Sequence, residues 1–483
     1  MSTHRNRPAL PVRMIGGPVQ VFDDPDLLPA DLGSLQAVQD MVRGTDLAAP
    51  PVVLPDFHHK SRMELPSSVA VATRDTVRPD LTSSSLNCGM ALIALDCEVP
   101  DTRAVDAFMR AVRERFPYPT RGHRELSAGE VIDAAAEGAE FGVERWNAAP
   151  ADLERIEEGG KVDLQRYGGV DRLRAELPGL AVQLATFRFG TIGPTNHFVE
   201  LQQVEEVLDP ARAERLGVKE GQLTLQYHAG GGVLTGEIGR LFFRRKDYPR
   251  QVRLVNAVLK PWFHLRTSRS YTQLRERLGL YFTEGCPPVP LASDEGQRLM
   301  LANAAAMNYG FAFRVATYAA LRRLATAAFG GEPGRLVVDS PHNSIYEETV
   351  DGQSAVVHRH NSCRAYPAER MLPGITFAET GQAVLLPGTH RTCSYLAVAG
   401  EDAATSLHSA CHGAGTVVEN LAARGISGTD PLRHRTLRYR YSDAAPTEVP
   451  HYDNRGVDAA LDVLVRHRLV RPVARMRPIA VLH

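Results

Sequence analysis

The sequence predicts a mixed α+β fold, a single large domain with central β-sheets and surrounding helices. Three observations carry this: β-type and helical segments interleave along the chain, glycine-rich turns separate them, and no repeat or low-complexity linker divides the 483 residues. The β-type segments are Ser68–Ala72, Ala91–Asp96, Leu180–Phe189, Val337–Val338 and Ala383–Leu386, where apolar residues alternate or run together. Helical spacing is strongest at Thr102–Arg115, at Glu295–Thr326 after the N-cap Ser293, and at Val457–Arg466. A chain of this length would ordinarily hold several domains of ~100–200 residues each. Without a dividing linker, one domain over residues 1–483 is expected.

Composition narrows the function classes. Lys plus Arg number 55 against 56 Asp plus Glu, so the net charge of −1 offers no global attraction to nucleic acid or to an anionic membrane. No apolar run approaches the ~20 residues of a bilayer span, because even Leu299–Ala320 contains Asn303, Asn308 and Arg314. The first residues, MSTHRNRPALPVRMIGGP, lack the apolar stretch of a secretory signal. The six cysteines are scattered and form no CxxC pair, which fits free thiols in a reducing compartment. A soluble, cytoplasmic protein with no membrane contact is expected.

One local asymmetry stands out, in residues 240–277. Arg240, Arg244, Arg245, Lys246, Arg250, Arg253, Lys260, Arg266, Arg269, Arg275 and Arg277 face only Asp247 and Glu276 there, and Tyr248, Trp262, Phe263 and Tyr271 interleave with them. Cations that neutralise phosphates beside rings that stack on bases would make this an RNA-contact segment inside the domain. The plainer alternative is a solvated helical face with a few aromatics turned inward.

Five segments set small residues beside Cys, His and Asn: SSSLNCGM at Cys88, GTIGPTNHFVE at Asn196, His197 and Glu200, LQYHAGGG at His228, DSPHNSIYEE at His342 and Asn343, and ACHGAG at His412. Each alone reads as packing. Together, thiolate and imidazole donors suit a borderline divalent ion. HExxH, CxxC…CxxC, GxxxxGK[ST] and GxSxG are all absent, which excludes a zincin, a zinc knuckle, a phosphate loop of that type and a serine-hydrolase elbow. Glycine-rich turns at Pro387–Ser394 and His412–Gly415 can instead offer backbone N–H groups to phosphates.

NCGM, GTIGPTNHFVE, ASDEGQRLMLANAAAMNYGFAFR, SPHNSIYEE, HRHNSCRAYP, GQAVLLPGTHRTCSY, CHGAG and ARMRPIAVLH follow one another as in RtcB-type RNA ligases, which the chain resembles from about Leu54 onwards. The resemblance implies a GTP- and Mn²⁺-dependent RNA ligase with one or two ions. Such an enzyme joins 3′-phosphate or 2′,3′-cyclic phosphate ends to 5′-hydroxyl ends, in RNA repair or tRNA splicing. It implies His412 as the nucleophile that carries the guanylate, and Cys88, His197, His228 and His342 as metal ligands. The guanine nucleotide would contact Asn196, His197, Phe198, Val199, Glu200, His342, Asn343, Pro387, Gly388, Thr389, His390, Ser394, His412, Gly413, Ala414, Gly415 and His483. RNA ends are the implied partners, with room for an activating protein.

The chain also departs from that pattern. Ser85 stands where the family has an aspartate three residues before the cysteine, and a hydroxyl is the poorer ligand for a second Mn²⁺. HAGGGVLTG replaces a segment that carries an arginine, His360 replaces a lysine beside Arg359 and Arg364, Thr416 replaces an arginine after CHGAG, and His483 aligns with a lysine. Asp56 or His58 of LPDFHH would complete a metal shell or lie on the surface. The alternatives to a ligase are a divergent paralogue that binds or regulates broken RNA ends, and a phosphodiesterase that opens cyclic ends without guanylylation.

Overall fold

Two sheets share the chain through one residue. In the larger, strands run in the order Glu332–Pro341, Gly89–Asp96, Leu223–Ala229, Phe198–Val207, Val470–Leu482, Ser394–Ala399 and Ala383–Leu386, and Arg435–Tyr439 with Thr447–Pro450 flanks Val470–Leu482. In the smaller the order is Arg13–Ile15, Val19–Val21, Val52–Val53, Val69–Thr73, Gln353–His360 and Asn343–Val350. The chain leaves the first at Pro341 and enters the second at Asn343, so His342 is the crossing point. This computed structural model describes residues 12–15, 17–60, 63, 65–118, 124–193, 196–243, 250–282, 287–429 and 434–483.

The expected mixed α+β class is the observed one. The strands expected at Ser68, Ala91, Val337 and Ala383 are Val69–Thr73, Gly89–Asp96, Glu332–Pro341 and Ala383–Leu386. The three expected helices are Thr102–Arg115, Asp294–Phe329 and Arg455–Arg466. Leu180–Phe189 is a correction, because Gly179–Ala185 is a helix. Its buried residues Ala181, Val182 and Ala185 recur at helical spacing, while Leu180 and Leu184 are exposed, so the apolar run there was not a strand's inner face.

The 36-residue helix Asp294–Phe329 is buried on every side from Arg298 to Leu321. It packs against Thr102–Arg115, Ala128–Glu137, Ala139–Trp146 and Gly232–Phe242, which explains an apolar character without a stripe. Its buried amides and Arg314 are tied to neighbouring segments. Asn308 binds the backbone of Ala136 and Val162, Asn303 donates to the Ile345 carbonyl, and Arg314 pairs with Asp339 at 2.7 Å. No helix among the described residues is long and apolar enough to cross a membrane.

The basic segment folds in part as the helices Arg250–Thr267 and Tyr271–Phe282, with Arg250 exposed; Arg244, Arg245, Lys246 and Tyr248 lie outside the described residues. Arg277 is internal and bonds Glu295 at 2.8 Å, Arg240 pairs with Glu237, and Phe263 is buried. Arg253, Arg266, Arg269, Arg275, Trp262 and Tyr271 remain on the surface.

Two buried histidines set an acid limit on this fold. His358 donates from Nδ1 to the Val71 carbonyl and accepts the Arg78 N–H at Nε2, and His264 bonds the Leu241 carbonyl. Burial pushes them down to about 3 and about 2. The unfolded chain takes up these protons below about 6.5 and the folded one refuses them, so their contribution is intact above that pH and is lost as pH falls towards the folded values. Each adds a slope of up to ~1.4 kcal/mol per pH unit. The urea midpoint is expected to fall from pH 6.5 to 4, and His358→Gln to make that fall shallower. An unchanged slope in the variant would refute the assignment.

Candidate active site

Strand register assembles the cluster. Gly89 pairs with Ala229 and with Pro341, and His228 lies opposite both Met90 and Phe198. Cys88, His197, His228 and His342 therefore meet at the ends of four neighbouring strands. The His342 N–H donates to the Cys88 carbonyl at 2.9 Å, and the Asn87 N–H to the Asn343 carbonyl at 2.9 Å. Asn87 is left-handed at φ 50°, which turns Cys88 into the sheet. Below it, the Asn87 amide donates to the Met307 carbonyl and Arg314 to the Asn87 carbonyl. A Cβ on Gly310 would stand 2.7 Å from Asn87, and one on Gly89 would stand 2.7 Å from the Ser340 carbonyl, so the loop is clamped on the long helix.

The donor atoms face one another. Cys88 Sγ lies 3.2 Å from His228 Nε2 and 3.4 Å from His197 Nε2, and the Nε2 atoms of His228 and His342 are 3.0 Å apart. His228 Nδ1 bonds the Asn196 carbonyl at 2.8 Å, which fixes the proton there and turns the Nε2 lone pair inward. A tetrahedral ion with bonds of about 2.0–2.3 Å would hold such atoms roughly 3.3–3.6 Å apart, close to these separations. Cys88, His228 and His342 form the compact group, and His197 stands on its outer side. Burial pushes the Cys88 thiol up to about 12 and His197 down to about 4, and burial, then the charges of neighbouring histidines and Lys60, drives His228 and His342 well below the usual histidine value. Neutral imidazoles around a sulfur fit a cation, which would displace the thiol proton.

His412 follows the short strand Ser409–Cys411, whose pairing with Ser362–Arg364 brings its ring to 4.5 Å from that of His342. Burial, then the charge of Lys60, holds its imidazole neutral. The ring opens on a cavity of about 420 Å³. Asn196, His197, Phe198 and Glu200 line one side, Pro387, Gly388, Thr389, His390 and Ser394 another, and Gly413, Gly415 and His483 complete the set expected from sequence. His390 and His483 stack at 5.5 Å, and Arg438 donates to His483. Burial pushes Glu200 up to about 8, and Gln202 donates to its carboxyl at 2.6 Å.

Other expected residues do not line the cavity. Val199 and Ala414 belong to the apolar core, and Asn343 is engaged with the Ser85 carbonyl and the Asn361 N–H. Ser85 is exposed, and Arg359 and Arg364 are buried in ion pairs with Glu348, Glu157 and Glu158. Part of the glycine-rich turns is engaged within the protein. Ser394 takes the Gly388 N–H, Thr392 the Thr389 N–H, and Pro387 the Ala414 N–H. Asp56, left-handed at φ 67°, accepts from Thr416 and Val417 at the start of the helix Gly415–Ala423. It is therefore a buried helix cap rather than part of the compact metal-capable group or a surface residue. The reading from sequence missed Lys60, Met90 and Val481 as cavity residues; Lys60 carried no signal beyond its place after LPDFHH.

A family model described as tRNA-splicing ligase RtcB matches residues 38–483. The chain is 31% identical over 415 residues to the tRNA-splicing ligase RtcB of Pyrococcus abyssi, covering 82% of this chain and 42% of that protein. It is 32% identical over 421 residues to the RNA-splicing ligase RtcB of Mycobacterium tuberculosis, covering 83% and 89%. Against Pyrococcus furiosus tRNA-splicing ligase RtcB the identity is 30% over 416 residues, with 82% and 39% covered. The chain thus spans about two fifths of the length of the Pyrococcus relatives.

Proposed function

The chain belongs to the RtcB family, and from that premise we propose that it is an RNA ligase that seals 3′-phosphate or 2′,3′-cyclic phosphate ends to 5′-hydroxyl ends through guanylate carried on His412. One observation carries the reading: a neutral, buried imidazole opens on the cavity with its ring 4.5 Å from a histidine of the Cys88, His228 and His342 group.

In this reading a nitrogen lone pair of His412 attacks the α-phosphorus of GTP; a P–N bond forms and pyrophosphate leaves with the electrons of the broken P–O bond. Water opens a cyclic end to the 3′-phosphate. A 3′-phosphate oxygen then takes the guanylate, restoring the imidazole, and the 5′-hydroxyl attacks the activated phosphate as GMP leaves. When bound by Cys88, His197, His228 and His342, Mn²⁺ would offset phosphate charge and lower the pKa of the attacking hydroxyl. His390, Ser394, His483 and Glu200 would hold the guanosine. The exposed Arg253, Arg266, Arg269, Arg275, Trp262 and Tyr271 would meet the RNA.

Incubation with GTP labelled on the α-phosphate and Mn²⁺ is expected to leave an acid-labile label on the protein. Its absence across metals and pH would overturn the ligase. A weakened paralogue that binds RNA ends is the second reading, favoured by the exposed Ser85 and by an Asp56 carboxylate at the helix start after CHGAG. Sealing at useful turnover would exclude it.

A further inference from the structure

Several of the phosphate donors this cavity could offer are already engaged. The Gly388, Thr389 and Ala414 N–H groups are bonded within the protein, and the N–H groups of Thr416 and Val417 are held by Asp56. Arg359 and Arg364 are buried in ion pairs. Among the described residues that line the cavity, Lys60 alone carries a Lys or Arg charge. No ion pair among the described residues engages it, and its charge acts on His412, His342, His228 and His360. The lining carboxyls are Asp56, spent on the helix cap, and Glu200, bonded to Gln202, and the His58 imidazole is bonded at Nδ1 to the Asp56 carbonyl at 2.7 Å.

We infer that Lys60 is the phosphate-binding residue of the cavity, a positioning cation that draws the polyphosphate chain of a nucleotide against His412. This rests on the ligase reading for the identity of the nucleotide, though not for the anion site itself. A lysine delivers a mobile point charge with three N–H donors and needs no fixed fork, which suits a chain of phosphates that changes partner during the reaction. The cation enters from the segment before the Val69–Thr73 strand.

The test is calorimetric titration of the full chain with inorganic pyrophosphate and, separately, with guanosine. Pyrophosphate is expected to bind, Lys60→Met to weaken it by about tenfold or more, and Lys60→Arg to recover part of the loss, with guanosine affinity unchanged. No pyrophosphate binding by the parent protein, equal pyrophosphate binding by Lys60→Met, or a parallel loss of guanosine binding overturns the inference. The two readings fail separately. Protein that binds pyrophosphate through Lys60 yet takes no label from GTP loses the ligase and keeps the anion site. Labelling of Lys60→Met at the parent KM for GTP does the reverse.

Discussion

Replacement of His412 by alanine is expected to abolish the covalent label and lower RNA joining by at least about a thousandfold, because neither activation of the 3′-phosphate nor sealing can begin without that nitrogen. Metal content should stay at the parent level, since Cys88, His197, His228 and His342 are untouched. Opening of a cyclic phosphate end should persist, because water rather than the imidazole attacks there. Measuring label, joining and manganese on one preparation separates the outcomes. Residual label at the parent level would move the nucleophile elsewhere, and loss of metal together with label would make His412 a ligand instead.

Arg314→Met carries the largest expected loss of stability. Both partners of the Arg314–Asp339 pair are buried, and the same guanidinium holds the Asn87 carbonyl. Breaking one side of such a pair leaves an uncompensated carboxylate and costs about 3–5 kcal/mol, against total stabilities of ~5–15 kcal/mol. The urea midpoint should drop sharply. Adding Asp339→Leu should restore most of it, because two apolar residues leave no unpaired charge. Metal binding should stay weakened in the double variant, since the turn before Cys88 has still lost its donor. A midpoint shift below about 1 kcal/mol would show the pair to be ornamental.

The two halves of the site were unequally legible. The clearest helices could be read from their spacing, and at Ser293 from the cap as well. Phe198–Val207 was not read as a strand because ELQQVEEV looks polar, yet Gln202 and Gln226 bond each other inside the sheet. The hairpin Asn343–Val350 and Gln353–His360 hides for the same reason: His358, Arg359 and His360 are buried and satisfied by distant groups. No spacing rule finds the cysteine and histidine cluster, whose members come from different strand ends and become neighbours only through register. They were legible through family resemblance alone. That resemblance also noted Arg359 and Arg364 as the cations that remain beside His360, and Glu348, Glu157 and Glu158 consume them.

The clamp beneath Cys88 has a consequence for traffic. The long helix lies beneath the turn before Cys88, and two of the expected ligands, His197 and His228, also line the cavity on which His412 opens. An ion and a nucleotide would then use the same door. Whichever must sit deeper has to arrive first, and a seated nucleotide would bar the ion's exit until the products clear.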